Sequence, residues 1–146
     1  MLDELIRDSV QGCLMDVSHK FFLKNFERVS KLEVHPGQIP IIRLLGSIEG
    51  LSQKEIAGKL NIKPPTVNVS VQRMEKAGLA YRRADKKDQR ITRIYLTDKG
   101  KEINERIAAM MEENESIITA NFTESELCLL KRMLRQVSKN LEDASR

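Results

Sequence analysis

The sequence predicts a mainly α-helical chain with one small β-hairpin wing: a winged helix-turn-helix core flanked by amino- and carboxy-terminal dimerisation helices. Three observations carry this. Two short amphipathic helical patterns, at 52–60 and from 64 onward, follow one another across a brief turn, and the second stops at a glycine. Two runs rich in β-branched and aromatic residues, 79–84 and 91–96, come next around a charged loop. Long helical periods with wide apolar stripes stand on both sides. Helix, turn, helix and basic hairpin in that order make the winged motif.

Each element has a local cause. Ser52 followed by Glu55 has capping-box spacing, in which each side chain satisfies a backbone donor of the other residue, and Ile56 and Leu60 then share a face. Asn61 and Ile62 make the turn. Pro64 and Pro65 fall where a helix tolerates missing donors, in its first turn. In the second helix Val67, Ser70, Val71 and Met74 recur at three- and four-residue spacing as the buried stripe, leaving Thr66, Asn68, Val69, Gln72 and Arg73 outward. Gly78 is the stop, with Leu79 as its apolar contact. In the hairpin, Thr92, Ile94 and Leu96 alternate with Arg93 and Tyr95. The connection at 85–90 has neither an apolar residue nor a glycine, so a projecting loop is expected instead of a tight turn.

On the amino-terminal side, apolar residues from Leu2 through Val10, Cys13, Phe22 and Val29 to Leu32 keep a helical period over 2–32. Gly12 is a weak point there, or marks a bend or a close helix crossing. His35, Pro36 and Gly37 interrupt before a short helix at 39–48. After the wing, Thr97 can cap a long helix carrying Ile103, Ile107, Met110, Met111, Ile117 and Ile118, broken at Phe122 and Thr123. Thr123 with Glu126 repeats the capping box, and Leu127, Leu130, Leu134, Val137 and Leu141 follow a coiled-coil-like spacing. These stripes exceed what a small winged core covers, so a second copy of the chain is the expected partner. The chain reads as one unit over 1–146: a winged core at 35–100, with the helix-turn-helix at about 51–77 and the wing at 79–97, and dimerisation helices at 1–34 and 101–146.

The bulk numbers exclude several classes. A chain of 146 residues that is 40% hydrophobic has one-domain length, and no apolar run approaches the ~20 residues of a membrane span. The start MLDELIRDSV lacks an export signal, so a cytoplasmic location is expected. Cys13, Cys128, His19 and His35 make no zinc set, and neither metal nor cofactor is expected. No G-x-S-x-G, phosphate-cradling glycine loop or HExxH occurs; Ser18 and His19 point apart on one helix, and Glu112, Glu113 and Glu115 read as a solvated face. An enzyme is not expected.

Charge points to a polyanion. Residues 51–101 hold 13 Lys and Arg against 5 Asp and Glu, whereas the remainder holds 12 against 16. Positive charge concentrated on a groove-reading motif suits double-stranded DNA. Asn68 and Gln72 are candidates for adenine edges, Arg73 for guanine or a phosphate, and Pro65, Thr66 and Val69 for thymine methyls. In the wing, Arg90 suits the minor groove, and Lys86, Lys87 and Gln89 suit phosphates. Structural alternatives stand beside these: Arg90 pairs with Asp85 or Asp88 to shape the loop, and Val69 is half-buried. The competing function, a winged helix used as a protein-interaction module, calls for an apolar or acidic second-helix face and a neutral wing, and the sequence has neither.

LSQKEIAGKL at 51–60, EKAGL after the second helix, the D-x-x-D-x-R loop at 85–90 and LTDKG at 96–100 together resemble the MarR family of bacterial transcriptional regulators. The likeness extends to the flanking helices, and departs at Lys63, often serine in such proteins, and at Lys87, usually arginine. It implies a homodimer whose first, fifth and sixth helices intertwine. It also implies a repressor released by a small amphipathic or phenolic ligand in the crevice between dimer helices and winged domain. Met15, Phe21, Phe22, Phe26, Ile42 and Leu45 are candidates to line that pocket, or to fill a core. One branch of the family senses organic peroxides through a first-helix cysteine, which makes Cys13 a candidate redox site. The tyrosines that serve that branch are absent here, since Tyr81 and Tyr95 both belong to the hairpin.

Overall fold

The computed structural model describes residues 8–145. Six helices are seen among them: α1 (Val10–Ser30), α2 (Ile39–Ser47), α3 (Gln53–Leu60), α4 (Pro64–Lys76), α5 (Asp98–Ile118) and α6 (Glu124–Ala144). A 3-10 turn at Pro36–Gln38 leads into α2, and strands β1 (Leu51–Ser52), β2 (Ala80–Ala84) and β3 (Thr92–Leu96) form an antiparallel sheet ordered β1-β3-β2. Helix, helix and wing are therefore as the sequence predicts. The chain divides into two compact units, one through Met110 and one from Met111.

Two features differ from expectation, at the start of α1 and beside β3. Leu2, Leu5 and Ile6 of the expected stripe lie outside the described residues, and α1 begins at Val10, where the Ser9 side chain accepts from the Gly12 N–H. Gly12 is thus a first-turn residue with a capped donor, and neither a mid-helix weakness nor a bend. The second difference is β1, which pairs Leu51 with Ile94 and Ser52 with Arg93.

The core of the first unit forms where α2, α3, α4, the sheet and the start of α5 meet. Ile41, Ile42, Leu45, Ile56, Val67, Val71, Met74, Ile94 and Ile107 are its largest fully buried side chains. Because Ile103 and Ile107 belong to it, the winged body extends past residue 100. Most of α1 is exposed, including Val17, Phe22 and Phe26, and only Val29 of this helix is buried. In the second unit α6 starts from the expected Thr123–Glu126 capping box and buries no residue. Its Leu134 and Leu141 are exposed.

Candidate nucleic-acid interface

Helix α4 is set by contacts at both ends. Ser52 and Glu55 make the complete capping box of α3, and bonds to the Ser52 backbone and then its hydroxyl hold the Glu55 carboxyl below its ordinary value. Asn61 closes α3 in the left-handed region, at φ 52°. Gln53 Nε2 then donates to the Pro64 carbonyl at 3.0 Å, tying the start of α3 to the start of α4. Lys63 supplies no side-chain cap. Little is lost, because Pro64 and Pro65 carry no N–H and so remove two of the donors a cap would satisfy. At the far end Leu79 N–H reaches Met74 O at 2.8 Å and Gly78 N–H reaches Glu75 O at 3.0 Å, a Schellman stop with Gly78 at φ 72°.

The buried stripe of α4 is Val67, Val71 and Met74, with Ser70 partly covered. Pro65, Thr66, Val69, Gln72 and Arg73 are exposed together on the opposite side. Val69 is 45% exposed, so it is about half-covered and still presents apolar surface on the outward face. Asn68 sits on the flank between these faces, partly covered, and its Oδ1 accepts from Arg82 Nη2 on β2 at 3.0 Å.

The wing is built from paired side chains. Tyr81 and Tyr95 face one another across the strands with ring centroids 5.4 Å apart, and Arg82 pairs with Ile94. Its tip is shaped by carboxylates bonding to backbone. Asp85 Oδ1 accepts the N–H of Lys87 at 2.7 Å and of Asp88 at 3.0 Å, and Asp88 Oδ1 accepts the N–H of Arg90 at 3.0 Å. The Asp85 Oδ2 is held by Arg93 Nε, whose guanidinium also donates to Gly50 O at 2.8 Å and lies 3.7 Å from Glu55. These bonds, that of Arg93 foremost, lower the Asp85 carboxyl to about 2. Lys86, Lys87, Gln89 and Arg90 are exposed, and their side chains have no hydrogen bond or ion pair among the described residues. The Arg90 guanidinium therefore pairs with neither Asp85 nor Asp88, and Asp88 meets only the Arg90 backbone.

Glu75, Arg82, Asp85 and Arg93 organise this site; of the four, the sequence suggests a loop-shaping part for Asp85 alone, and with Arg90 as its partner instead of Arg93. Arg82 shares a side of β2 with buried Ala80 but is itself exposed, so its partners appear only once β2 lies beside α4.

Of the residues expected to line a ligand pocket, Ile42 and Leu45 are sealed in the core, while Met15, Phe21, Phe22 and Phe26 are exposed on α1, so one chain alone does not bring them into a common lining. A cavity of about 420 Å³ lies elsewhere, lined by Leu32, Val34, Leu79, Lys99, Ile103 and Arg106 among others. Cys13 and Cys128 are exposed and not in a disulfide. No group of His, Cys, Asp and Glu among the described residues is arranged to hold a metal ion, and no helix among them is long and apolar enough to cross a membrane.

Comparison with known proteins agrees with this geometry. The model of the MarR family matches residues 34–92, the stretch from the approach to α2 to the first residue of β3. The transcriptional regulator FarR of Neisseria gonorrhoeae is 33% identical over 104 residues, 71% of this chain and 70% of that one. The chain belongs to the MarR family. MarR proteins are transcriptional regulators and not enzymes, and this chain is one of them. The transcriptional repressor MdtR of Bacillus subtilis is 28% identical over 132 residues, 83% of this chain and 84% of that one. Among solved structures, the Staphylococcus aureus MepR–DNA complex superposes with a TM-score of 0.76 at 24% identity, covering 91% of this chain and 98% of that one, a likeness of fold.

Proposed function

We propose that this MarR-family regulator is a cytoplasmic homodimer that binds an inverted-repeat operator in double-stranded DNA and acts as a ligand-released repressor. One observation carries the DNA reading. The exposed face of α4 and the uncommitted cations of the wing tip belong to one braced body, so a helix for the major groove and an arm for the minor groove come in fixed relation. Gln72 and Asn68 read base edges, Arg73 takes guanine or a phosphate, and Pro65, Thr66 and Val69 meet thymine methyls. Arg90 enters the minor groove, and Lys86, Lys87 and Gln89 hold phosphates. MepR is solved with DNA and MdtR is named a repressor, which supports carrying both roles to this chain.

The dimer rests on the exposed apolar side chains of α1 and α6, each a patch that water disfavours and a second chain would cover. Two α4 helices related by a twofold axis call for half-sites about one helical turn apart, ~34 to 36 Å. Light scattering on a sizing column, with footprinting on a selected site, tests the proposal. A dimer protecting a symmetric site is expected, and a stable monomer at micromolar concentration overturns it.

A further inference from the structure

Resting on the reading of α4 as the groove helix, we propose that Arg82 is a positioning residue that fixes the Asn68 carboxamide as a hydrogen-bond donor, so that Asn68 selects guanine and not adenine. The geometry begins with a shared face. Asn68 and Glu75 are seven residues apart, two turns of α4, and so lie along one flank of the helix. Arg82 lies across from this flank on β2 and engages both residues. Its Nη2 donates to Asn68 Oδ1 at 3.0 Å, and its Nε lies 3.5 Å from the Glu75 carboxylate. The strand register directs it there, because Arg82 pairs with buried Ile94 and shares a face of β2 with buried Ala80.

A guanidinium has five donors and no acceptor. Only the oxygen of the Asn68 amide can face it, and the Glu75 carboxylate braces the guanidinium in that place. Turning the amide over would set two donors against each other and forfeit the bond. The Asn68 Nδ2 group is therefore the edge left for DNA. An unconstrained asparagine reads adenine with both edges, its oxygen accepting from N6–H while its nitrogen donates to N7. With the oxygen turned to Arg82, the donor that remains can meet both N7 and O6 of guanine, whereas on adenine only N7 accepts and the neighbouring N6–H opposes it.

Selection from randomised duplexes by the full-length chain tests this. Asn68→Ala identifies the position, as the one in each half-site whose preference disappears. The wild type should show guanine there, favoured over adenine by on the order of tenfold. Arg82→Met keeps an apolar stem but frees the amide, and should move the preference at that one position to adenine. Glu75→Ala leaves Arg82 unbraced and should reduce the guanine preference several-fold, which gives a readout should Arg82→Met fail to fold. Adenine at that position in the wild type overturns the proposal. So does an Arg82→Met protein that binds all sequences more weakly with its preference unmoved, the behaviour of a residue that only supports the fold or holds a phosphate. A wild type without any base preference defeats the DNA reading itself, whereas a preference that responds to Asn68→Ala but to neither partner substitution defeats this inference alone.

Discussion

Asp85 bonds to Arg93 on the facing strand, and not to Arg90 at the end of its own loop. The wing therefore spends its two carboxylates on its own architecture and keeps Arg90 outward. The Asp85 carboxyl, lowered to about 2 from 3.8, is a depressed acid. Its contribution to stability is present above the ordinary value and is lost as pH falls through about 2. Amide exchange at Lys87 and Asp88 should thus stay protected from pH 7 to about 4, decline below that and be lost only near pH 2. Asp85→Ala, which leaves no side-chain acceptor, should remove the protection at every pH. It should also weaken DNA binding by on the order of tenfold, about the 1.4 kcal/mol of one lost contact, with the helical circular dichroism unchanged.

Gly100 and Gly58 should respond in opposite directions to alanine. A Cβ at Gly100 would run into the carbonyl oxygen of Leu79, which is already taken by the Thr97 N–H where α5 crosses the end of the Schellman stop. Backbone on backbone has no soft partner to yield, so Gly100→Ala should cost at least ~2 kcal/mol, within the overpacking range. At Gly58, inside α3, a Cβ meets nothing within 4 Å. Gly58→Ala should stabilise by roughly 0.5–1 kcal/mol through the helix's gain over glycine. Urea unfolding of both proteins decides, and equal effects would contradict the packing described.

The sequence showed what is set locally. Ser52 with Glu55, Thr123 with Glu126, and Gly78 after Met74 are signals within five residues, and each forms as read. Interactions that depend on distant chain were hidden. β1 is two residues long and exists only because β3 lies beside Leu51 and Ser52. Arg82 looks like any strand arginine until β2 is placed against α4. Ser9 was passed over because the apolar period runs through it without a break. At the site, the exposed face of α4 and the wing cations followed from periodicity and charge. Which apolar residues are covered did not, since hydrophobic side chains on α1 and α2 look alike in sequence although Ile42 is sealed and Phe22 is bare.

Reading and holding should separate under substitution. Gln72 is exposed on the outward face of α4 and aims an amide with both edges free, so Gln72→Ala should relax base preference at one position by roughly 1–3 kcal/mol. Lys86 and Lys87 project from a loop that carries charge and no base-reading geometry. Alanine at either should weaken all sequences alike and lower the salt slope by about one. Selection from randomised sites at two salt concentrations measures both effects, and identical behaviour of the two classes would refute the division.

Release by a small ligand makes a reciprocal demand. A ligand acts only through different affinities for DNA-fitting and non-fitting arrangements of the two α4 helices, so DNA must weaken its binding by the factor by which it weakens DNA binding. A coupling of about 1–3 kcal/mol, roughly 5- to 150-fold, is enough for a switch. The exposed Met15, Phe22 and Phe26 of α1 are where an amphipathic or phenolic molecule would find apolar surface once a second chain closes over it. Such a molecule should raise the unfolding temperature of the free protein and lose most of that effect when operator is present. A thermal-shift screen of phenolic and amphipathic compounds, with each hit titrated with and without operator, measures the factor from both directions. Equal stabilisation in the two conditions would remove ligand release and leave constitutive binding, or oxidation of the exposed Cys13, to account for control.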